Sequence, residues 1–435
     1  MSSSLFQEFR NNLKVRNADD ISRAYSNITM RLNKDFWDQE SDVYHRRQIG
    51  SYGRHTAIHG VSDLDMAFEL PWTLYEKYKA YENNGPSQLL QELRKSLKTR
   101  YPRSEIKGDG QVVIVKFDGF IVEVLPVFVD EEAEGYRFPD SNDGGTWKIC
   151  KPIKEMDAVD LRNTETNRNY KHACKMVRAW KNSHGVNISG MLIDTLVYNF
   201  FSQNSDYHRQ SYGSYDRMFV SLFTYLGGLE HQDYWAAPGS GQRVYSKGKF
   251  QPKAKKAAAK CQEALTAEAD RKKAKLWREV FGRAFPAEVA QLAKVAMEHA
   301  ADRSLQTTEE FIEDRYPVDI QYDLEIDCEV THGGEKSGLL RRLLESVRLL
   351  PHGRSLCFRV ENCNVPQPYT LMWKVRNVGI EAERQGKIRG GIIADAGRHM
   401  RHETTDFGGD HYVEAYAVKD GVCVARDLIG VPIAN

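Results

Sequence analysis

The chain has 435 residues, enough for two or three domains with sizeable cores, and 61 Lys and Arg against 60 Asp and Glu leave a formal charge of +1. That balance argues against a surface built to grip long duplex nucleic acid, while leaving room for a local basic groove. No apolar run approaches the roughly 20 residues of a membrane span, the opening MSSSLFQEFRNN lacks the apolar core of a secretion signal, and the seven cysteines show no Cys-x-x-Cys spacing; a cytosolic protein with reduced thiols and no zinc site is expected.

Over the first 40 residues Phe6, Phe9, Leu13, Ile21, Tyr25, Ile28 and Leu32 recur at helical spacing, so one or two packing helices open the chain. Residues 43–128 mix strands with a helix near 87–99, set between the turn signals Asn83-Asn84-Gly85-Pro86 and Tyr101-Pro102. This is the pattern of an α/β lobe. Early in it stands Gln48-Ile49-Gly50-Ser51-Tyr52, where Gly50 lets the backbone approach a triphosphate and the Ser51 hydroxyl and nearby N–H groups can donate to phosphate oxygens. Ser62-Asp63-Leu64-Asp65 follows and runs into the apolar Met66-Ala67-Phe68, a strand pattern that puts Asp63 and Asp65 on one face.

An Asp-x-Asp pair alone is most often a solvated loop or a helix cap. A third acid changes that reading. Residues 111–128, QVVIVKFDGFIVEVLPVF, form two strand patterns joined by the hairpin dipeptide Asp118-Gly119, and Glu123 shares a face of the second with Ile121 and Leu125. A carboxylate buried there needs a partner, either a base such as Lys116 or, given the first two motifs, a divalent cation. Three acids on adjacent strands can hold two ions about 3.5–4 Å apart, one activating an attacking hydroxyl and the other holding the triphosphate and its pyrophosphate leaving group. All-oxygen ligands suit magnesium or manganese. The chemistry inferred is nucleotidyl transfer.

A Gly- and Asp-rich loop around 139–145 leads to a mainly helical region from near Asn163 to about 315, and the active site is expected in the cleft between the two lobes. Here NYKHACKMVRAWKNSHGVNISG (169–190) reads as a helix and a glycine loop, with Lys171, Lys175 and Arg178 at helical spacing and Lys181 farther round. Spacing alone favours a solvated face, but opposite an acidic site cations are needed to neutralise a triphosphate, which makes Lys175, Arg178 and Lys181 candidates. Trp180 reads as a core anchor, MLIDTLVYNFF as a buried helix, and the lysine-rich run from Lys247 as the start of a solvated helix of mixed charge. From His352 the texture turns to short β-like runs, and Glu403-Thr404-Thr405 with Gly408-Gly409-Asp410-His411 reads as a polar loop before a strand. The expected division is a catalytic lobe with its N-terminal packing helix over 1–162, a helical lobe over 163–345 and a β-rich domain over 346–435.

The Gly50-Ser51 element, Asp63-x-Asp65, and Glu123 followed by Val124-Leu125-Pro126 resemble the catalytic core of cGAS/DncV-like nucleotidyltransferases, the CD-NTases. The later Arg178-Ala179-Trp180 helix and Ile188-Ser189 resemble the donor-binding part of their helical lobe. Residues 357–418, with CFRVEN, WKVRNVGIEA, KIRGG, RHETT and GGDHYVEAY, are similar to the C-terminal sensor domain found with SMODS-type synthetases and adenylyl/guanylyl cyclases. The resemblance implies an α+β chain: a polymerase-beta-like nucleotidyltransferase lobe, a helical lobe and a C-terminal β-rich domain. It implies synthesis of a cyclic oligonucleotide messenger, a purine-containing cyclic di- or trinucleotide, from ATP and/or GTP with two Mg2+ (or Mn2+) ions, in bacterial anti-phage (CBASS) signalling where the product activates a downstream effector. By the same resemblance Asp63, Asp65 and Glu123 bind metal and catalyse, Gln48, Gly50 and Ser51 meet the donor triphosphate, and Ser189 with the basic helix contacts nucleotide. The third acid is Glu where Asp is frequent, and Arg178 stands where Lys commonly precedes Ala-Trp. No Cys/His cluster matches the zinc thumb of the animal DNA sensor, so duplex DNA activation is not implied. Two other classes share these features: a template-free enzyme adding a nucleotide to RNA, a small molecule or a protein, and a non-catalytic nucleotide sensor.

Overall fold

The computed structural model describes residues 2–60, 63–287, 309–346, 349–377, 382, 384, 389–406 and 408–434. Ser62 of the acidic motif, the last part of the expected helical region (288–308), and residues 378–381 and 387–388 of the C-terminal resemblance lie outside them.

Helices α1 (Ser2–Asn12) and α2 (Ala18–Trp37) carry the apolar periodicity of the first 40 residues, but their buried faces enter different cores. Phe6 stacks on Phe219 and meets Trp277, Phe281 and Phe285 edge-on, so α1 packs with the helical lobe rather than with the catalytic lobe where the sequence led us to expect it. Ile21, Tyr25, Ile28 and Leu32 of α2 instead cover Leu64, Met66, Val122 and Val124. The break between the helices lets one continuous period serve two cores.

The catalytic lobe is built on strands β1 (Arg46–Gln48), β2 (Asp63–Glu69), β3 (Ile106–Asp109), β4 (Val112–Phe117) and β5 (Phe120–Asp130), in the order β1-β2-β5-β4-β3; β5 runs on to pair with β6 (Gly135–Asp140), and β6 with β7 (Thr146–Cys150). Of these pairs only β2 and β5 run parallel, with Asp65 in register with Glu123 and Asp63 with Ile121. The β4–β5 hairpin turns at Asp118-Gly119, Gly119 taking φ +80°. Between β1 and β2 lies the single turn α3 (Gly50–Gly53), and α4 (Trp72–Lys79) and α5 (Gly85–Arg100) follow β2. The Asn84 carboxamide oxygen accepts from the Ser87 N–H (3.0 Å), and Pro86 occupies the first turn of α5, so that helix starts where its sequence signals place it.

Helices α6 (Pro152–Glu165), α7 (Asn169–Ser183), α8 (Gly190–Gln203), α9 (Tyr215–Gly228), α10 (Gln251–Thr266) and α11 (Asp270–Phe281) make the helical lobe, with the small hairpin β8 (Tyr234–Ala236) and β9 (Arg243–Tyr245) between α9 and α10. The lobe starts at Pro152, not near Asn163, because proline fits a first helical turn whose N–H has no intrahelical partner. Trp180, Leu192, Leu196, Phe200, Phe219 and Phe223 fill its core. Among the described residues no helix is long and apolar enough to cross a membrane, and all seven cysteines are free.

Two four-stranded sheets form the C-terminal domain. One orders β11 (Glu335–Leu339), β10 (Leu324–His332), β12 (Ser355–Cys363) and β15 (Met400–Thr404); the other orders β14 (Ile392–Ala394), β13 (Thr370–Arg376), β16 (Gly409–Lys419) and β17 (Val422–Ile433). Ile326, Val330 and Phe358 of the first share a core with Trp373, Ala415 and Val431 of the second. Strands β10 and β11 precede residue 346, the expected start of this domain. The alternation Leu324, Ile326, Cys328, Val330, all buried, is the period-two signal that places them in it. Glu403 and Thr404, expected in a loop, lie on β15 and pair with Leu356 and Ser355 of β12.

Candidate active site

Strand β1 delivers the chain into α3, with Gln48 paired to Met66 of β2 and the Ile49 N–H donating to the Asp65 carbonyl (3.0 Å). Gly50 turns the backbone with φ +59°, and a Cβ there would overlap the Asp65 carboxylate, so only glycine fits. The Ser51 carbonyl accepts from the Thr56 and Ala57 N–H groups (2.9 and 3.1 Å), and the Ser51 N–H donates to the Asp65 carboxylate. The Gly-Ser turn and the acidic strand are thus one unit.

A cavity of about 340 Å³ opens over this unit. The catalytic lobe contributes Gly50, Ser51, Arg54, Asp63 and Asp65 to it; the helical lobe contributes Glu155, Arg178, Lys181, Asn182, Gly190 and Met191; and the C-terminal region contributes Asp319. Glu123 does not line the cavity but stands beside Asp65 through the parallel β2–β5 register. Lys116 does not answer Glu123: its ammonium pairs with Glu105 and Asp420. Burial, then Asp319 and Asp65, pushes Asp63 up to about 8. Burial and then Glu123 pushes Asp65 up to about 7, against the pull of Arg54. Burial and then Asp63 pushes Glu123 up to about 7. One Asp63 oxygen and the Tyr52 hydroxyl are buried without a hydrogen-bond partner.

The cations around the cavity are differently placed. Arg178 is buried and its guanidinium is spent on Asp194 of α8, with Nη1 and Nη2 at 2.6 and 2.9 Å and a further bond from Nη2 to the Gly190 carbonyl. Arg54, one residue past α3, donates to the same carboxylate (2.9 Å), as does the Thr56 hydroxyl (3.0 Å). Lys181 is buried and donates to Asp319 at 2.7 Å. Lys175 lies outside the cavity lining, half-buried, its pKa lowered by burial and then by Arg178 and Lys171. Lys171 pairs with Asp160. Helix α7 therefore presents no continuous solvated basic face; its charges are distributed among specific acids. Ser189 caps α8, its hydroxyl oxygen accepting from the Leu192 N–H (3.2 Å), and so directs the N-terminus of α8 into the cavity through Gly190 and Met191.

Sequence reasoning missed Arg54, Asp194 and Asp319. A lone acid inside MLIDTLVYNFF was the signal for Asp194, because a charge in a buried helix requires a partner. Asp319, in the irregular stretch before β10, carried no signal. A second cavity of about 410 Å³ lies in the C-terminal domain, floored by Leu356, Phe358 and Val413 and edged by Asn377, Glu403 and His411, far in sequence from the acids of the first.

The family model of the SMODS domain, the Second Messenger Oligonucleotide or Dinucleotide Synthetase domain, matches residues 1–163, and that of AGS_C, the Adenylyl/Guanylyl and SMODS C-terminal sensor domain, matches residues 306–434. No curated protein matches the chain. Among solved structures it is similar to CdnC of E. coli MS115-1 in complex with HORMA-deltaN (15% identity over 66% of this chain and 99% of that one, TM-score 0.49). It is also similar to apo DncV of Vibrio cholerae (13% identity, 55% and 69% covered, TM-score 0.46). A third is the CdnE cyclic dinucleotide synthase of Elizabethkingia meningoseptica with GTP and Apcpp (16% identity, 61% and 99% covered, TM-score 0.44). A SMODS domain spans the acidic strands β2 and β5 and an AGS_C domain the two C-terminal sheets, so the chain carries a second-messenger oligonucleotide or dinucleotide synthetase domain with its sensor domain and is a nucleotidyltransferase that makes cyclic oligonucleotides.

Proposed function

We propose that this enzyme joins ATP and/or GTP into a purine-containing cyclic di- or trinucleotide, with Asp63, Asp65 and Glu123 as its metal-holding and catalytic carboxylates. The observation that carries the reading is the convergence of three half-buried acids on two parallel strands, Asp65 in register with Glu123 and one Asp63 oxygen buried without a partner, with each carboxylate raised by burial and by its acidic neighbours. Carboxylates gathered in that way call for cations. The donors are all oxygen, which suits Mg2+ or Mn2+. Among the described residues no three His, Cys, Asp or Glu side chains stand converged on a metal position, so Asp63, Asp65 and Glu123 would draw together to hold an ion. Two such ions, when bound, activate the attacking ribose hydroxyl and offset the charge of the departing pyrophosphate.

The protein's own groups account for the rest. Gln48 anchors the turn in which Gly50 and Ser51 offer backbone and hydroxyl donors to the donor triphosphate. Ser189 holds the N-terminus of α8 toward the same space, where its partial positive charge favours an anion. Arg54 and Arg178, locked on Asp194, tie the turn to the helical lobe and orient it, and Lys181 is the cavity-lining ammonium that can meet phosphate. In the cell this activity fits anti-phage (CBASS) signalling in the cytosol, the product acting on a downstream effector.

The test is incubation with labelled ATP and GTP, singly and together, with Mg2+ or Mn2+ and no other acceptor, and mass spectrometry of the products. Cyclic oligonucleotides are expected. Nucleotide transfer that appears only when an RNA, a small molecule or a protein acceptor is added would replace this reading with that of a template-free modifying enzyme.

A further inference from the structure

The residues lining the cleft come from three places, and one of them is the C-terminal domain. The segment that carries Asp319 is zipped onto β17: the Cys423 N–H donates to the Pro317 carbonyl (2.9 Å), the Asp319 N–H to the Cys423 carbonyl (3.1 Å), and the Gln321 N–H to the Val424 carbonyl (2.8 Å). On its other side Asn182 of α7 brackets the same residue, its carboxamide nitrogen donating to the Val318 carbonyl (2.8 Å) and its oxygen accepting from the Ile320 N–H (3.3 Å). Asp319 is thereby pointed into the cavity, where one oxygen accepts from Lys181 (2.7 Å) and the other from Gln321 (2.8 Å). The turn joining β16 to β17 reaches the opposite lobe, Asp420 accepting from Lys116 of β4 (3.2 Å). The C-terminal domain therefore touches both lobes and places a carboxylate in the cavity between them.

Among the described residues lining the cavity the cations are Arg54, Arg178 and Lys181. The first two are balanced by Asp194 within the lobes. The counter-ion of Lys181 belongs to the C-terminal domain. A triphosphate entering this cavity meets Asp63, Asp65 and Asp319 as like charges and finds the Lys181 ammonium already engaged. Asp319 and a phosphate oxygen need the same donor, and only one can have it.

We propose that Asp319 is the positioning residue through which the C-terminal domain governs nucleotide binding: by holding Lys181 it competes with the triphosphate, and displacement of the Pro317–Gln321 segment frees the ammonium for the substrate. This inference rests on the reading of the cleft as the NTP site. It makes the affinity for NTP, rather than the chemical step, the quantity that the C-terminal domain sets.

The experiment is equilibrium binding of ATP and GTP analogues with a non-cleavable α–β bridge, in Mg2+, to the full-length wild type, Asp319→Asn, Lys181→Gln and the double variant, with KM and kcat measured beside it. Asp319→Asn keeps the side-chain volume and removes the competing charge, so binding about tenfold tighter and a lower KM are expected, on the scale of one charge-assisted hydrogen bond. In the Lys181→Gln background the same substitution should gain at most about twofold, from relief of direct repulsion alone, because the rest of the gain acts through the ammonium. The double variant leaves neither partner as an unpaired buried charge and serves as the folding reference for both single variants; if Asp319→Asn alone folds poorly, Asp319→Ser, which also removes the competing charge, takes its place with the same expected gain. Unchanged or weaker analogue binding in Asp319→Asn, or a gain that persists in full without Lys181, overturns the proposal. Absence of analogue binding in every variant, wild type included, overturns the NTP reading of the cleft itself and the inference with it.

Discussion

Asp194→Asn is the substitution with the largest consequence worked from this structure. Asp194 is wholly buried and accepts from Arg178 (2.6 and 2.9 Å), Arg54 (2.9 Å) and Thr56 (3.0 Å). Burial alone would push its pKa up, yet the guanidiniums of Arg178 and Arg54 hold it down at about 2. Asparagine keeps the volume and removes the carboxylate charge to which Arg178 and Arg54 both donate, leaving two guanidiniums in a buried site. Breaking a buried pair from one side costs about 3–5 kcal/mol. Arg54 donates its own N–H to the Gly50 carbonyl, so loosening it also disturbs the turn beside Asp65, and KM for NTP should rise. The measurement is denaturant unfolding read by tryptophan fluorescence, since Trp180 and Trp277 both lie in the helical core. The folded pKa lies below the unfolded carboxylate value of about 3.9, so this stabilisation is complete above that pH and disappears only as pH falls through about 2. The wild-type-to-variant difference should therefore be the same at pH 5 and pH 7. A loss under about 1 kcal/mol at pH 7 would refute the claim that Asp194 neutralises both arginines.

Asp63→Asn, Asp65→Asn and Glu123→Gln should each abolish product while the metal-free protein melts no lower than wild type, because each removes one member of a half-buried group of acids that raise one another; near-normal turnover in any of them would sink the metal-holding role of that acid. Half-buried His172, beside the Tyr215 hydroxyl at 2.9 Å, has its pKa lowered to about 4 by burial and then by Arg10, Lys175 and Arg168. Its neutral form contributes stability that is complete above about 6.5 and lost as pH falls through about 4; discounted for the part of the ring that water reaches, the change is about 1–2 kcal/mol. A His172→Gln variant that follows the wild-type pH profile of unfolding would show that the ring does not titrate this way. In the C-terminal domain, Trp373→Ala removes a buried side chain whose indole donates to Asp395 (2.8 Å) and should cost about 3–5 kcal/mol, whereas Glu403→Ala and His411→Ala at the second cavity should leave basal turnover within about twofold. Loss of basal chemistry in folded Glu403 or His411 variants would place that cavity in the reaction.

What the chain discloses before folding is what local period and turn chemistry encode. The hairpin at Asp118-Gly119, the strand holding Asp63 and Asp65, the α5 caps and the buried α8 are all written in neighbouring residues. The parallel β2–β5 register that sets Asp65 beside Glu123 is not, since it depends on a crossover through α4, α5 and two strands. The same limit explains the basic helix. Lys171, Lys175, Arg178 and Lys181 look alike in a helical projection, but their partners come from residues far along the chain: Asp194 lies 16 positions from Arg178 and Asp319 lies 138 from Lys181. Spacing can show that cations share a helix; it cannot show which of them are already neutralised.

That distinction orders the electrostatics of the cleft. Asp194 of α8 and Arg178 of α7 stand on helices that pack in one core, and Arg54 joins them from the catalytic lobe, so this joint is made without the C-terminal domain. A carboxylate supplied by another domain makes a joint that lasts only while that domain stays docked. Asp194 and Asp319 do comparable chemistry at comparable distances, 2.6 and 2.7 Å to their cations, yet the first ties the Gly50-Ser51 turn to the helical lobe through Arg54 and the second makes the Lys181 ammonium answer to the C-terminal domain. A sensor domain need not reach the acids on β2 to influence them. It has only to decide whether Lys181 faces a carboxylate of its own or one brought by the substrate.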